Sequence, residues 1–243
     1  MGFQSRLKPK RSLGQNFFNN KSLAQHIVNL VLETTPTHIT EIGPGKGVFT
    51  SLFYVTTKKI SLIEKDSSFS DDLQLLFKDL SVHNQDFLEI DLVNSDTTYF
   101  GSLPYNASKP IIKKILTSKT FTNPAFFIIQ KEVADKYANK KTNQLGLIRE
   151  IYSDCKILLT IKPGNFKPKP KVMSSFVKFT PHNKYPNIDK VQLETLILNS
   201  FNQPRKTLKN NLKNTRYQLL KNEESLRPSQ LSLNQYVLIL NRS

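Results

Sequence analysis

The sequence predicts an α/β fold, a mostly parallel sheet followed by a small all-helical C-terminal domain. Three observations support this prediction. Short apolar runs of strand length alternate with amphipathic stretches of helix length over the first half of the chain, which is the pattern of repeated βαβ units. Two later strand-like runs are typical of an antiparallel edge. Beyond residue 182 no convincing strand pattern remains, and the sequence predicts helices.

The predicted elements of the parallel part follow in a regular order. Asn20 is the predicted N-cap of a first helix, whose apolar face carries Leu23, Ile27, Leu30 and Val31. Further helices are predicted in VFTSLFYV, SSFSDDLQLLFKDL, SKPIIKKILTS and KEVADKYANK. The strands between them are predicted in HITEIG, KISLIEKD, SVHNQDFLEI, TYFGSLPYN and PAFFIIQ.

The pattern changes after this alternation. The two late strands are predicted in KILLTI and KVMSSFVKFTP, on either side of a proline-spaced segment. The tail helices are predicted in KVQLETLILNSF, RKTLKNNLKN and SLNQYVLILNR. We therefore expect a first domain over residues 1–182, including a basic N-terminal segment, and a helical second domain over residues 183–243.

The charge of the chain indicates its class of partner. The 243 residues include 35 Lys and Arg against 19 Asp and Glu, a formal net charge of +16. This balance favours a polyanionic partner, because each neutralised phosphate releases condensed counterions. A solvated basic surface without a partner is the alternative.

Several classes of protein are disfavoured. A single cysteine, Cys155, excludes an intramolecular disulfide and a cysteine-based zinc site. No apolar run reaches the ~20 residues that cross a bilayer, and the basic N-terminus lacks the apolar core of a signal peptide. We therefore expect no membrane association and an intracellular, cytoplasmic location. The histidines show no ligand spacing, so we expect no metal and structural roles for His26, His38, His83 and His182.

The first chemical motif is the glycine-rich turn EIGPGKG, which follows the first predicted strand of the parallel part. Gly43, Gly45 and Gly47 permit a tight turn and a close approach of a ligand to the backbone. The turn is not a P-loop, since Lys46 is followed by glycine, and its spacing differs from that of the dinucleotide motif. A plain strand-to-helix turn would look similar.

Two acidic residues follow at the ends of the next strands. Glu64 ends KISLIEK, where an acid can accept hydrogen bonds from a ribose diol. Asp86 ends the third strand, where a carboxylate can accept from an adenine amino group. Together with the glycines they describe a cleft for an adenosine without a pyrophosphate, and S-adenosylmethionine fits this description.

A proline-pinned corner, GSLPYN, ends the fourth strand. An exocyclic amine of a base is a poor nucleophile, because its lone pair is delocalised into the ring. Ser102 and the carbonyl of Leu103 are candidate acceptors for the amine hydrogens, Pro104 holds the corner, and Tyr105 offers a stacking platform. Such a site acts by positioning and electrostatics, without a covalent intermediate.

Several motifs together resemble one enzyme family, the ribosomal RNA adenine dimethyltransferases, and within it the small-subunit branch. The resemblance runs from about residue 8 to the C-terminus. It implies a Rossmann-like class I methyltransferase sheet that binds S-adenosylmethionine. It also implies dimethylation at N6 of two adjacent adenosines near the 3′ end of small-subunit (16S) rRNA. The motifs are LGQNFFNN, EIGPGKGVFT, IEKD, NQDFL, GSLPYNAS, IIQKEVADK, FKPKPKVMSSFVKF, FNQPRKTLKNNL and LRPSQLSLNQYVLI.

The resemblance places roles on particular residues. Catalysis falls on the corner of Ser102, Leu103, Pro104 and Tyr105. Position 102 departs from the family, which normally has asparagine there, and serine reaches less far. The family's cofactor contacts, with the second glycine of the turn, fall on Asn16, Phe18, Gly43, Gly45, Glu64, Asp86 and Ser102.

Three basic clusters are the expected contacts with RNA phosphates. A target base must be unstacked to enter a pocket, which favours loop or junction RNA within small-subunit rRNA or a pre-assembled small ribosomal subunit. We expect the chain itself to be a monomer. The phosphate contacts are predicted at Lys8, Lys10, Arg11, Lys167, Lys169, Lys171, Arg205, Lys206 and Lys209.

Two other functions remain open at the level of sequence. A large-subunit (23S) rRNA adenine dimethyltransferase conferring macrolide resistance would share the fold and the cofactor motifs, but the tail motif RKTLKNNL argues against it. A non-catalytic ribosome-assembly factor would keep the fold and the RNA surface. Ser102 supports that reading, and the intact set of cofactor motifs argues against it.

Overall fold

A computed structural model of the chain describes residues 16–56, 59–138 and 141–243. The chain divides into two compact units. Of the described residues, the first unit comprises those up to Ala134 together with Lys156–Pro181, and the second comprises those within Asp135–Cys155 together with His182–Ser243. The second unit therefore includes residues 135–155, which the sequence-based division assigns to the first domain.

The described strands form two sheets. They are β1 Phe17–Phe18, β2 His38–Ile42, β3 Ile60–Ile63, β4 Ser81–His83, β5 Thr97–Ser102, β6 Ala125–Gln130, β7 Ser153–Ile161, β8 Phe166–Lys167 and β9 Ser174–Pro181. The main sheet has seven strands in the order β4-β3-β2-β5-β6-β9-β7. Its first five strands pair in parallel, and β9 runs antiparallel to β6. This sheet confirms the predicted α/β fold class.

The order of the strands determines where ligands can bind. β2 lies between β3 and β5, and the three strands are parallel, so their carboxyl ends lie at one edge of the sheet. The chain leaves β2 in one direction along the sheet and later returns on its other side. Open parallel sheets bind ligands beyond the carboxyl ends of the strands at such a switch point.

The described helices follow the strands closely. They are α1 Lys21–Leu32, α2 Val48–Tyr54, α3 Ser67–Leu76, α4 Ser108–Leu116, α5 Lys131–Tyr137, α6 Gln144–Tyr152, α7 Lys190–Ser200, α8 Leu208–Leu212, α9 Lys221–Glu224 and α10 Leu233–Asn241. The predicted cap of α1 is confirmed, because the Asn20 side chain accepts a hydrogen bond from the Leu23 backbone at 3.0 Å. The buried face of α1 is rotated from the expected one, since Ala24 and Val28 are buried while Leu23 and Leu30 are only partly so.

Aromatic side chains fill the core of the first unit. Phe100 of β5 is fully buried, and its ring packs against Phe49 and Phe53 of α2 with centroids 5.0 and 5.1 Å apart. Rings in such edge-to-face contacts contribute beyond their buried area. The packing holds α2 against β5, and it therefore fixes the glycine turn that precedes α2.

The second unit has a core of its own. Leu193 and Ile197 of α7 pack with Tyr236 and Ile239 of α10. Helix α6, which the sequence pattern did not reveal, contributes Leu147 to the same cluster. In the described part of the chain no helix is long and apolar enough to cross a membrane.

Candidate active site

A cavity of about 210 Å³ opens at the carboxyl ends of β2, β3 and β5. One water molecule needs only roughly 10–15 Å³ by this measure, so the cavity suits a small organic molecule. The structure brings all the predicted cofactor and catalytic residues to its walls. These are Asn16, Phe18, Gly43, Gly45, Glu64, Asp86, Ser102, Leu103, Pro104 and Tyr105.

The glycine turn forms one wall of this cavity. Gly43, Gly45 and Gly47 have φ angles of 64°, 55° and 71°, a region that other L-residues adopt only at a cost. A Cβ atom at Gly43 would meet no atom within 4 Å, so the backbone there borders open space. At Gly45 it would approach the Phe17 ring to 3.0 Å. The turn therefore needs glycine at position 43 for its backbone conformation, and at position 45 for both conformation and space.

Glu64, which directly follows β3, connects the end of that strand to the glycine turn. Its Oε2 accepts a hydrogen bond from the Gly45 backbone N–H at 3.0 Å, and its Oε1 accepts from the Asp66 N–H at 2.9 Å. Burial raises the pKa of Glu64, while these two backbone donors oppose the rise. Each carboxylate oxygen has a second lone pair, so Glu64 can still accept hydrogen bonds from a ribose diol.

Asp86 is more engaged than its sequence position suggests. Its Oδ1 caps a short 3-10 turn by accepting from the Leu88 N–H at 2.9 Å, and its Oδ2 lies 2.6 Å from Lys65 Nζ. The hydrogen bond from Lys65 is the main cause of the lowered pKa of Asp86. The carboxylate is thus held ionised at the wall, as an acceptor for an adenine amine requires.

The predicted corner is pinned on both sides. The Leu103 N–H donates to the Ile128 carbonyl of β6 at 3.1 Å, and the Ser108 N–H donates to the Pro104 carbonyl at 3.0 Å. A Cβ atom at Gly101 would lie 2.7 Å from the Ile42 carbonyl, so only glycine allows β5 to approach β2 this closely. The half-buried Ser102 follows directly and borders the cavity.

Glu41 is a site residue that the sequence motifs did not single out. It lines the cavity but is almost fully buried, and the Thr50 hydroxyl donates to its Oε2 at 2.7 Å. Burial raises its pKa to about 8, and the charge of Glu64 adds to the rise. An acidic residue just before a glycine turn could have indicated this site. However, Glu41 lies inside β2, where the sequence pattern is that of an ordinary core residue.

The remaining wall comes from a small sheet that the sequence did not predict. β1 pairs antiparallel with β8, Phe18 opposite Phe166 and Phe17 opposite Lys167. The rings of Phe18 and Phe166 lie 5.2 Å apart, and both line the cavity. The small sheet explains how the sequence-distant N-terminal motif reaches the strand ends.

The predicted RNA contacts divide into three groups. Lys8, Lys10 and Arg11 lie outside the described residues. The second group continues from the cavity wall at Phe166, and its members Lys167, Lys169 and Lys171 are exposed. The third group lies in the second unit, where Arg205, Lys206 and Lys209 are exposed. There Lys209 pairs with Glu224 at 2.7 Å.

The donor set of the cavity fits S-adenosylmethionine. Glu64 places a carboxylate beside the glycine turn, which disfavours an anionic pyrophosphate there and favours a cationic sulfonium or ammonium group. Acceptors for a ribose and an adenine are present at Glu64 and Asp86. No group of residues that could hold a metal ion occurs in the described ranges.

Comparison with known proteins identifies the family. The model of the ribosomal RNA adenine dimethylase family matches residues 6–241. Ribosomal RNA small subunit methyltransferase A of Francisella tularensis is 32% identical over 98% of this chain and 98% of its own length.

Two solved structures share the fold at 18% identity. A dimethyladenosine transferase from Plasmodium falciparum has a TM-score of 0.78, covering 93% of this chain and 96% of its own. The 23S rRNA methyltransferase ErmE has a TM-score of 0.74, covering 93% and 99%. The family match and the cleft geometry agree. The chain therefore belongs to the ribosomal RNA adenine dimethylase family, and it is an S-adenosylmethionine-dependent adenine dimethyltransferase.

Proposed function

We propose that this enzyme dimethylates N6 of two adjacent adenosines near the 3′ end of small-subunit (16S) rRNA, as a step in small-subunit maturation. One observation carries the chemistry, namely that the Ser102–Tyr105 corner opens into the same cavity as Glu64 and Asp86. The choice of the small subunit is supported by the Francisella relative, which is named for it and is similar over nearly the whole chain.

The cofactor roles follow from the walls of the cavity. Glu64 accepts hydrogen bonds from the ribose diol, and Asp86 accepts from the adenine amine. Gly43 and Gly45 let the cofactor approach the backbone, while Asn16 and Phe18 line the same cavity. When bound, S-adenosylmethionine supplies an electrophilic methyl group. The Ser102 side chain lies where this group and the target amine meet.

The corner prepares the target amine for attack. The Ser102 hydroxyl and the Leu103 carbonyl accept hydrogen bonds from the two N6–H groups, which directs the nitrogen lone pair toward the methyl donor. Tyr105 stacks on the base, and Pro104 fixes the backbone between these groups. Neither oxygen is basic enough to deprotonate the amine first, so the amine loses one proton to water only after its bond to the methyl group has formed. The corner therefore acts by orientation and electrostatics.

Ser102 changes the reach of this arrangement but not its logic. A serine oxygen still accepts a hydrogen bond, although it lies closer to the backbone than an amide oxygen of asparagine would. The base must therefore sit nearer the strand end. We expect methyl transfer to persist, with a slower second methylation, because the first methyl group crowds the short acceptor.

The basic clusters bind the surrounding RNA. The exposed Lys167, Lys169 and Lys171 continue from the cavity wall, where they can hold phosphates beside an unstacked base. Arg205, Lys206 and Lys209 of the helical unit, and Lys8, Lys10 and Arg11 near the N-terminus, complete the set. The partner is small-subunit rRNA or a pre-assembled small subunit, which a cytoplasmic monomer would meet during ribosome assembly.

The proposed substrate is tested by offering two RNAs to the enzyme with labelled S-adenosylmethionine. Unmethylated small subunits and large-subunit rRNA are compared, and the products are mapped by mass spectrometry. Dimethyladenosine confined to the small subunit is expected. Label only in the large-subunit RNA would assign the chain to the 23S branch, and no label on either would favour a non-catalytic assembly factor.

A further inference from the structure

We infer that Ser174 is a positioning residue, which fixes the ring of Tyr105 through a hydrogen bond between their hydroxyl groups. The two oxygens lie 3.0 Å apart, although the residues are 69 positions apart in the chain. The inference rests on the proposed function, in which Tyr105 stacks on the target base. It adds a residue from β9, outside the corner itself, to the machinery that orients the base.

Ser174 is held rigidly enough for this role. It is fully buried at the start of β9, and in the register of the sheet it lies opposite Gln130 of β6. The Lys131 N–H donates a hydrogen bond to the carbonyl of Met173 at 2.9 Å, which fixes the backbone directly before Ser174. The hydroxyl therefore has a defined place at the cavity wall.

Tyr105 needs such a partner, because its own position is only half-buried. Its backbone is fixed by the turn that begins α4, where the Ser108 hydroxyl donates to the Tyr105 carbonyl at 3.3 Å. This bond holds the backbone only, and it leaves the side-chain torsions of Tyr105 free. The bond to Ser174 fixes the far end of the ring, so that the plane of the stacking surface is set before the base arrives.

The same β6 strand holds both partners. The Leu103 N–H donates to Ile128 of β6, and Ser174 lies opposite Gln130 of that strand. The corner and the start of β9 are therefore both anchored to the same strand, β6. Because Ser102 offers a short acceptor, the alignment of the base depends all the more on the tyrosine ring.

Ser175 provides a matched control. It neighbours Ser174 in β9, is equally buried and points to the opposite face of the sheet. Its hydroxyl has no hydrogen-bond partner within the described ranges, and it does not line the cavity. Ser175→Ala therefore reproduces the loss of a buried hydroxyl in the same strand without touching Tyr105.

The experiment is a double-mutant cycle on methyl transfer to unmethylated small subunits. The variants are Ser174→Ala, Tyr105→Phe, the double variant and Ser175→Ala. Ser174→Ala and Tyr105→Phe are each expected to lower kcat roughly 3- to 10-fold, which corresponds to the net free energy of one hydrogen bond. The double variant is expected to be no slower than the slower single one. The KM for the cofactor and the cofactor-induced shift in Tm are expected to stay at wild-type values.

The outcomes separate this inference from the proposed function. A Ser174→Ala enzyme as fast as Ser175→Ala, or a double variant whose loss is the product of the single losses, would overturn the positioning role while leaving the function intact. Tyr105→Phe removes the same bond from the other side, so a folding defect in one variant does not block the test. A wild-type chain that methylates no RNA would overturn both.

Discussion

Glu64 and Gly45 are joined by a hydrogen bond of 3.0 Å from the glycine backbone to the glutamate side chain. The bond connects the turn after β2 to the end of β3, two elements that both border the cavity. The residue proposed to bind the ribose therefore also holds the glycine turn in shape. Disturbing the turn should consequently affect cofactor binding before it affects the rest of the fold.

Gly43→Ala should abolish the rise in Tm that S-adenosylmethionine produces. Alanine at φ 64° is strained by about 1 kcal/mol, and its Cβ would enter the space beside the cavity wall. Thermal unfolding with and without cofactor measures the effect. Gly164→Ala is the control, because its Cβ also meets nothing within 4 Å but its φ is not positive. An undiminished cofactor shift in Gly43→Ala would place the cofactor elsewhere.

Glu41→Gln should stabilise the protein at pH 8 more than at pH 5. The pKa of Glu41 rises from 4.5 to about 8 in the native state, so the native state binds this proton more tightly than the unfolded state. Its stabilising contribution is complete below about pH 4.5 and is lost as the pH rises toward 8. Glutamine keeps an acceptor for Thr50 and removes the charge, a gain on the order of 1 to 3 kcal/mol at pH 8.

Urea unfolding at the two pH values gives the comparison. The pKa of Glu64 is also raised by burial, so part of the wild-type pH dependence should persist in Glu41→Gln. Equal changes in the free energy of unfolding at pH 5 and pH 8 would mean that Glu41 is ionised throughout this range.

Ser102→Asn should keep or raise the rate of methyl transfer. The position is half-buried and borders the cavity, so an amide has room to extend toward the target amine. We expect a larger share of dimethylated over monomethylated product than in the wild type, measured by mass spectrometry of the nucleosides. Complete loss of transfer, with the cofactor shift in Tm intact, would show that this corner orients the base differently.

Removing the exposed lysines that follow Phe166 in the chain should weaken RNA binding in a salt-dependent way. Replacing Lys167, Lys169 and Lys171 by glutamine removes three exposed charges, and the slope of log K against log salt should fall by roughly 1 for each phosphate that is no longer neutralised. Filter binding at several salt concentrations measures the slope. Lys184→Gln, in an exposed ion pair with Asp154, serves as the comparison. An unchanged slope in the triple variant would remove this cluster from the RNA surface.

Much of the fold was accessible from the sequence, because alternation and helical periodicity are local signals. The strand ending at Ile42 and the cap at Asn20 both follow from a few neighbouring residues. The β1–β8 pair was not accessible, since two-residue strands joined across about 150 positions have no period. Helix α6 was missed because its buried residues Leu147 and Ile151 follow a polar loop with no strand before it.

Only the part of the site that lies in recognisable sequence motifs was predictable. The motifs predict the glycines, Glu64 and the Ser102–Tyr105 corner as site residues, and the structure gathers them around one cavity. The buried state of Glu41, the Lys65 partner of Asp86 and the Ser174 partner of Tyr105 all depend on tertiary packing. No sequence spacing encodes such contacts, because each depends on how separate segments of the chain pack together.

The role of the Ser102 hydroxyl is tested most directly by the product distribution of Ser102→Ala beside the wild type on unmethylated small subunits. The wild type should give dimethyladenosine at two adjacent positions. Ser102→Ala should still bind S-adenosylmethionine, as judged by its Tm, yet methylate roughly ten times more slowly and accumulate the monomethylated base. If instead Ser102→Ala matched the wild type in rate and in product, the serine hydroxyl would not be the acceptor that prepares the amine.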